Sequence, residues 1–291
     1  MGSCGRGTPV SREAVPFVVL AAALLHAVWN ALVHGVRDRL AGVALMNVVF
    51  VAFGALFALF VPLPGVRAVP YLLASTALQV GYQLLLARAY RLGDFGQMYP
   101  IARGTSPAVV ALLAATVLHH PMPAGQVVAV AVISLGLAGL ALVGGWPRRE
   151  QLPALAAALG TGVLIAGYTV VDGSGVRAAA STGGYIAWMF LLQGLAVLAA
   201  VLAVRGRTLR PALREGRTAA LAGGLMSLTA YGLVVWAQTV GDLPTIAALR
   251  ETSIVIAALI GTLVLRERLG TLRLAASATV LTGIALLEFA H

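Results

Sequence analysis

The chain has 291 residues, 60% of them apolar and 10% charged, with a mean hydropathy of +0.94. A soluble domain of that length has no need of so much apolar surface, whereas a polytopic helical membrane protein uses about 20 apolar residues for each crossing of roughly 30 Å of hydrocarbon. The formal charge of +10 comes from arginine, since there is no lysine. These arginines lie mostly in short loops between apolar runs, where they act on topology, so a nucleic-acid partner is set aside. The single cysteine, Cys4, excludes an internal disulfide and a cysteine metal cluster.

After a polar head at 1–15, ten apolar segments are predicted as helices near 16–36, 41–61, 69–91, 95–118, 124–144, 153–172, 184–204, 218–239, 243–265 and 271–290. Segment one carries His26, Trp29 and Asn30, and segment three carries Gln79, Tyr82 and Gln83. Segment six carries Tyr168 and Thr169 and ends at Asp172, read as an interfacial helix-end residue and, alternatively, as a proton carrier. Gln193 lies in segment seven and Tyr231 in segment eight; Trp236 and Gln238 fall near a helix end and read as interfacial anchors. Segments two, five and ten are nearly featureless. Arg6 and Arg12 before the first apolar run also fit a cleaved leader. Cleavage would leave nine spans and remove Trp29-Asn30, the counterpart of Tyr168-Thr169.

The ten segments divide into two fives, 16–146 and 147–291. Arg103-Gly104-Thr105-Ser106 returns 147 positions later as Arg250-Glu251-Thr252-Ser253, each with an apolar tail behind it, and Gly93-Asp94 and Gly241-Asp242 stand just upstream. This is an internal repeat. Five spans per half is an odd number, so the expected architecture is all-α, ten transmembrane helices in two inverted repeats, with any site near the midplane between them. Four loop arginines fall on the side of the termini and thirteen on the other. The thirteen are expected to face the cytoplasm.

The chemistry concentrates in segments four and nine. At about 1.5 Å of rise per residue, Arg103 lies roughly 13 Å from Asp94 and Arg250 about 12 Å from Asp242, well inside the hydrocarbon. An arginine there has to face protein or a water-filled cavity. Tyr99, Arg103 and Ser106 share one helical face, and Arg250 with Ser253 repeats the spacing. Pro100 and Pro107 each free a backbone carbonyl, which predicts a kinked helix four at the site. Two readings of Arg103 stand together: a structural ion pair with Glu251, or, with Arg250, an anion-binding pair. Two arginines against one acid leave net positive charge, which suits an anionic or zwitterionic solute. Glu251 is the first proton-coupling candidate and Asp172 the second, while Asn30 and Tyr168 are expected to shape the pocket.

The five-plus-five layout, His26-Ala27-Val28-Trp29-Asn30-Ala31-Leu32, Tyr99-Pro100-Ile101-Ala102-Arg103-Gly104 and Leu265-Arg266-Glu267-Arg268-Leu269 together resemble the EamA type of the drug/metabolite transporter superfamily over nearly the whole chain. The resemblance implies a secondary transporter, often an exporter of amino acids or other small metabolites, working from a cavity between the repeats in a bacterial cytoplasmic membrane. One departure is that the first half has His119-His120-Pro121 where the second has Arg266-Glu267-Arg268. An efflux permease for cationic drugs centred on Glu251 is the alternative. A membrane enzyme ranks lower, because the five histidines show no metal-ligand spacing and no Gly-x-Ser-x-Gly or nucleotide loop occurs. A non-transporting membrane subunit is a further alternative. No cofactor is expected, and the expected partners are a small solute and the lipid bilayer, with the chain a monomer or homodimer.

Overall fold

The computed structural model describes residues 12–33, 36, 38–93, 95–120, 122–141, 149–206, 216–263 and 270–289. Asp94, His34, Pro121, most of the 205–217 loop and the Arg266-Glu267-Arg268 stretch lie outside the described residues, as does the head with Cys4. Among the described residues there is no strand. Helix covers part of every predicted apolar segment: α1 Val15–Val33, α2 Arg39–Ala58, α3 Val69–Leu92, α4 Phe95–Thr116, α5 Ala124–Ala141, α6 Leu152–Ala178, α7 Thr182–Arg205, α8 Arg217–Ala237, α9 Leu243–Arg250, α10 Thr252–Leu263 and α11 Thr271–Phe289. Six of these, α1, α2, α3, α6, α7 and α8, are long and apolar enough to cross a membrane. The protein is therefore an integral membrane protein.

Short polar side chains set several helix starts by accepting from backbone N–H groups that lack an intrahelical partner. Asp38 accepts from Ala41 at α2, Ser181 from Gly184 at α7, and Asp242 from both the N–H and the hydroxyl of Thr245 at α9. At the other end of α8, Arg177 donates from Nε to the carbonyl of Gln238 at 2.8 Å and from Nη2 to that of Gly241 at 2.6 Å. It belongs to the last turn of α6.

Two features of the helices are not expected from the sequence. Helix α4 is continuous through Pro100 and Pro107, because each proline removes one backbone bond and the bonds on either side carry the helix on. The interruption falls in segment nine at Glu251, between α9 and α10. There the bonds tighten to three-residue spacing, Glu251 N–H to Ala248 O and Ile254 N–H to Glu251 O, both at 3.0 Å. Segment six is also longer than expected, continuing through Gly173-Ser174-Gly175 to Ala178. A Cβ on Gly175 would stand 2.6 Å from the Cβ of Tyr71, so glycine there is what allows α3 close to α6.

Packing follows a regular scheme. Helix α1 lies against α8 and α10, α2 against α7 and α8, α3 against α6 and α7, α4 against α5, α6 and α9, and α5 against α11. The closest crossings use glycine from both partners. A Cβ on Gly54 of α2 would meet the Leu191 backbone nitrogen of α7 at 2.7 Å, and one on Gly194 of α7 would meet the Asn47 carbonyl of α2 at 3.0 Å. A Cβ on Gly136 of α5 would meet the Val280 nitrogen of α11 at 3.0 Å, and one on Gly283 of α11 would meet the Ile133 nitrogen of α5 at 2.9 Å. Small residues permit such contact, and contact is what holds helices together in lipid.

Candidate functional site

Both repeat arginines are buried, Arg103 at 5% and Arg250 at 4% exposure, but their surroundings differ. Arg103, in the middle of α4, donates from Nε to Glu251 Oε2 at 3.0 Å and from Nη2 to Ser253 Oγ at 3.3 Å. The carboxylate sits at the interruption between α9 and α10 and bonds across to α4 rather than to its neighbour Arg250. Arg250, the last residue of α9, keeps Nε and Nη2 buried with no hydrogen-bond partner among the described residues. A buried guanidinium with two nitrogens left unpartnered among the described residues is costly, so its presence calls for a use.

Arg250 and Arg103 line a cavity of about 230 Å³ between the helices. Helix α1 contributes His26, Trp29 and Asn30 to it, α3 contributes Tyr82 and Gln83, α4 contributes Tyr99, and α6 contributes Tyr168. Asn30 donates from its side-chain nitrogen to the carbonyl of His26 at 2.7 Å, and the ring of His26 meets Trp29 edge-on at 5.0 Å. The indole N–H of Trp29 is buried without a partner among the described residues. The wall continues as a run of edge-to-face rings: Tyr82 to Tyr168 at 5.6 Å, Tyr168 to Tyr231 at 5.7 Å and Tyr231 to Phe190 at 6.4 Å.

Of the sequence candidates, the cavity gathers Arg103, Arg250, Tyr99, Asn30 and Tyr168 and leaves out Ser106 and Ser253. Ser253 accepts from Arg103, and the buried hydroxyl of Ser106 has no partner among the described residues. Glu251, 1% exposed, is joined to Arg103 and does not line the cavity. Asp172 is not an interfacial helix-end residue. It is fully buried inside α6 and accepts from Tyr185 at 2.9 Å and from Tyr231 at 2.6 Å. Gln238 is likewise fully buried, its amide nitrogen 3.4 Å from the carbonyl of Thr169, so it is no surface anchor.

Sequence reasoning passed over Asn47, Phe50 and Phe190, which also line the cavity. Asn47 had a signal, as an amide inside the apolar run Leu45-Met46-Asn47-Val48. The two phenylalanines had none, because on a helix a cavity ring and a core ring look alike. Arg39 also lines the cavity near its α2 edge, with its guanidinium 4.9 Å from the ring centre of Tyr90. No group of three or more histidine, cysteine or acidic side chains able to hold a metal occurs among the described residues.

A solved crystal structure, described simply as a protein, matches over 96% of this chain and 98% of its own, with a TM-score of 0.74 at 18% identity. That likeness establishes a shared fold. No curated protein matches. Residues 152–289, which include α6 to α11, match the model of the EamA-like transporter family. That matched segment, with its Arg250 at the cavity and its Glu251 at the helix interruption, is similar to the EamA-like transporter family of the drug/metabolite transporter superfamily.

Proposed function

We propose that the protein is a secondary active transporter that moves a small solute bearing an anionic group across the cytoplasmic membrane by alternating access, working as an exporter. The observation that carries this reading is Arg250, a buried guanidinium on the cavity with two nitrogens that have no partner among the described residues. A carboxylate or phosphate can take both through parallel hydrogen bonds. Asn30, Tyr99 and Tyr168 shape the pocket around it, and Arg103 adds positive charge to one wall.

Ten spans in two inverted halves, 16–146 and 147–291, supply the geometry. The helix pairs support this division. Exchanging each of the first five segments with its counterpart in the second five turns the α1–α8 contact into the α6–α3 contact and the α1–α10 contact into the α6–α4 contact. It also maps the α2–α7 and α5–α11 pairs onto themselves, with glycine given from each side. Glu251 and Asp172 are the acids available for proton coupling.

Efflux of cationic drugs is the weaker reading. It needs Glu251 open to the cavity, and Glu251 is bonded to Arg103. The deciding experiment is flux from proteoliposomes loaded with organic anions, amino acids and organic cations in turn. Anion or zwitterion flux that is lost in Arg250→Gln supports the proposal. Cation flux that survives Arg250→Gln and is lost in Glu251→Gln rejects it.

A further inference from the structure

We propose that the cavity selects a flat-ringed organic acid carrying no ammonium group, and that it discriminates against the α-amino acid of the same shape. This rests on the reading of Arg250 as the anion site. Among the described residues, three arginines, Arg39, Arg103 and Arg250, line the cavity, and no aspartate or glutamate does. The two buried acids nearest the site are engaged, Glu251 with Arg103 and Asp172 with Tyr185 and Tyr231. The carboxylate of an amino acid bound at Arg250 would bring its ammonium into a region of like charge with no anion to offset it, a repulsive arrangement that works as selection.

The ring requirement comes from the walls. Tyr82, Tyr168, Tyr231 and Phe190 form a continuous edge-to-face run across four helices, and Trp29 closes the α1 side. The hydroxyl of Tyr231 is committed to Asp172, so this residue contributes an aromatic surface rather than a polar contact. A third aromatic ring set among such walls gains the edge-to-face contacts the protein rings make with each other. The size also fits: an apolar cavity of about 150 Å³ accepts benzene, and 230 Å³ adds room for a short arm ending in a carboxylate. The indole N–H of Trp29, without a partner among the described residues, offers one more donor to that acid.

The test is a set of four matched compounds titrated against thermal unfolding of the full chain in detergent. They are 3-phenylpropionate, phenylalanine, 2-phenylethylamine and propionate. The expected result is that 3-phenylpropionate stabilises at a concentration at least about tenfold lower than phenylalanine or propionate, that 2-phenylethylamine has no effect, and that Arg250→Gln removes the response. Arg250→Lys keeps the charge, and retention of part of the response there separates loss of the anion site from loss of the fold. Phenylalanine acting as well as 3-phenylpropionate, with dependence on Arg250, overturns the exclusion of ammonium while the anion site stands. Propionate acting as well overturns the ring requirement in the same way. Stabilisation only by 2-phenylethylamine, or equally strong in Arg250→Gln, defeats both this inference and the anion site. The absence of any shift with 3-phenylpropionate at about 20 mM overturns the inference, and the anion site then stands or falls on its own flux measurement.

Discussion

Glu251 follows Arg250 in the chain but bonds Arg103, 148 positions away, at 3.0 Å. One acid thus neutralises one of two repeat-related arginines and leaves the other to face the cavity. The two positions therefore have different jobs, and substitution separates them. Arg103→Gln strands the Glu251 carboxylate in the interior and is expected to destabilise the protein by about 3–5 kcal/mol. The double variant Arg103→Gln/Glu251→Gln should cost much less than the sum of the singles. Unfolding in detergent, run as a double-mutant cycle, checks this; additive costs would show that the bond contributes nothing.

Arg250→Gln should behave in the opposite way. Removing a buried cation two of whose nitrogens have no partner among the described residues relieves a desolvation cost, so the ligand-free protein is expected to melt at an equal or higher temperature while anion binding disappears. A melting temperature lowered as far as in Arg103→Gln would mean that Arg250 is held by contacts of its own.

Much of this arrangement is legible in the sequence, and its limits are physical. The alternation of apolar runs with short polar breaks marks where helix forms, and Asp38, Ser181 and Asp242 mark starts through their side-chain bonds. The repeat leads to Arg103 and Arg250. The site of the interruption is hidden, because the two prolines of α4 are a stronger local signal than anything near Glu251, yet one missing bond does not stop a helix braced on three neighbours. Asp172 is misread for a similar reason: Gly173 and Gly175 look like an ending but serve close packing of α6 against α3 and α9. The aromatic wall depends on which face each helix turns inward, which in lipid the hydrophobic pattern does not mark.

The Asp172 cluster gives another prediction. Its two oxygens accept from tyrosines on two different helices, α7 and α8. Asp172→Ala leaves both hydroxyls buried without an acceptor and is expected to cost about 1–3 kcal/mol for each. Tyr185→Phe, which removes a donor and leaves the carboxylate its other partner, should cost less. Melting curves of the three proteins rank them, and an unchanged Asp172→Ala protein would show that water replaces the carboxylate.

The glycine crossing of α2 and α7 has little tolerance. Gly194→Leu should prevent the two helices from meeting, since even a Cβ would press on the Asn47 carbonyl at 3.0 Å. Leu195→Ala next to it, on a side chain 50% exposed, should be nearly neutral. Monodisperse yield after detergent extraction distinguishes the two, and equal yields would argue against this crossing.

The bond between Arg103 and Glu251 also ties α4 to the interruption between α9 and α10, so pulling these elements apart would separate two opposite charges in the interior. In the alternating access proposed above, rotation about that point would keep the bond intact, and the pair would serve as the fulcrum with the tightened turn at Glu251 as its bearing.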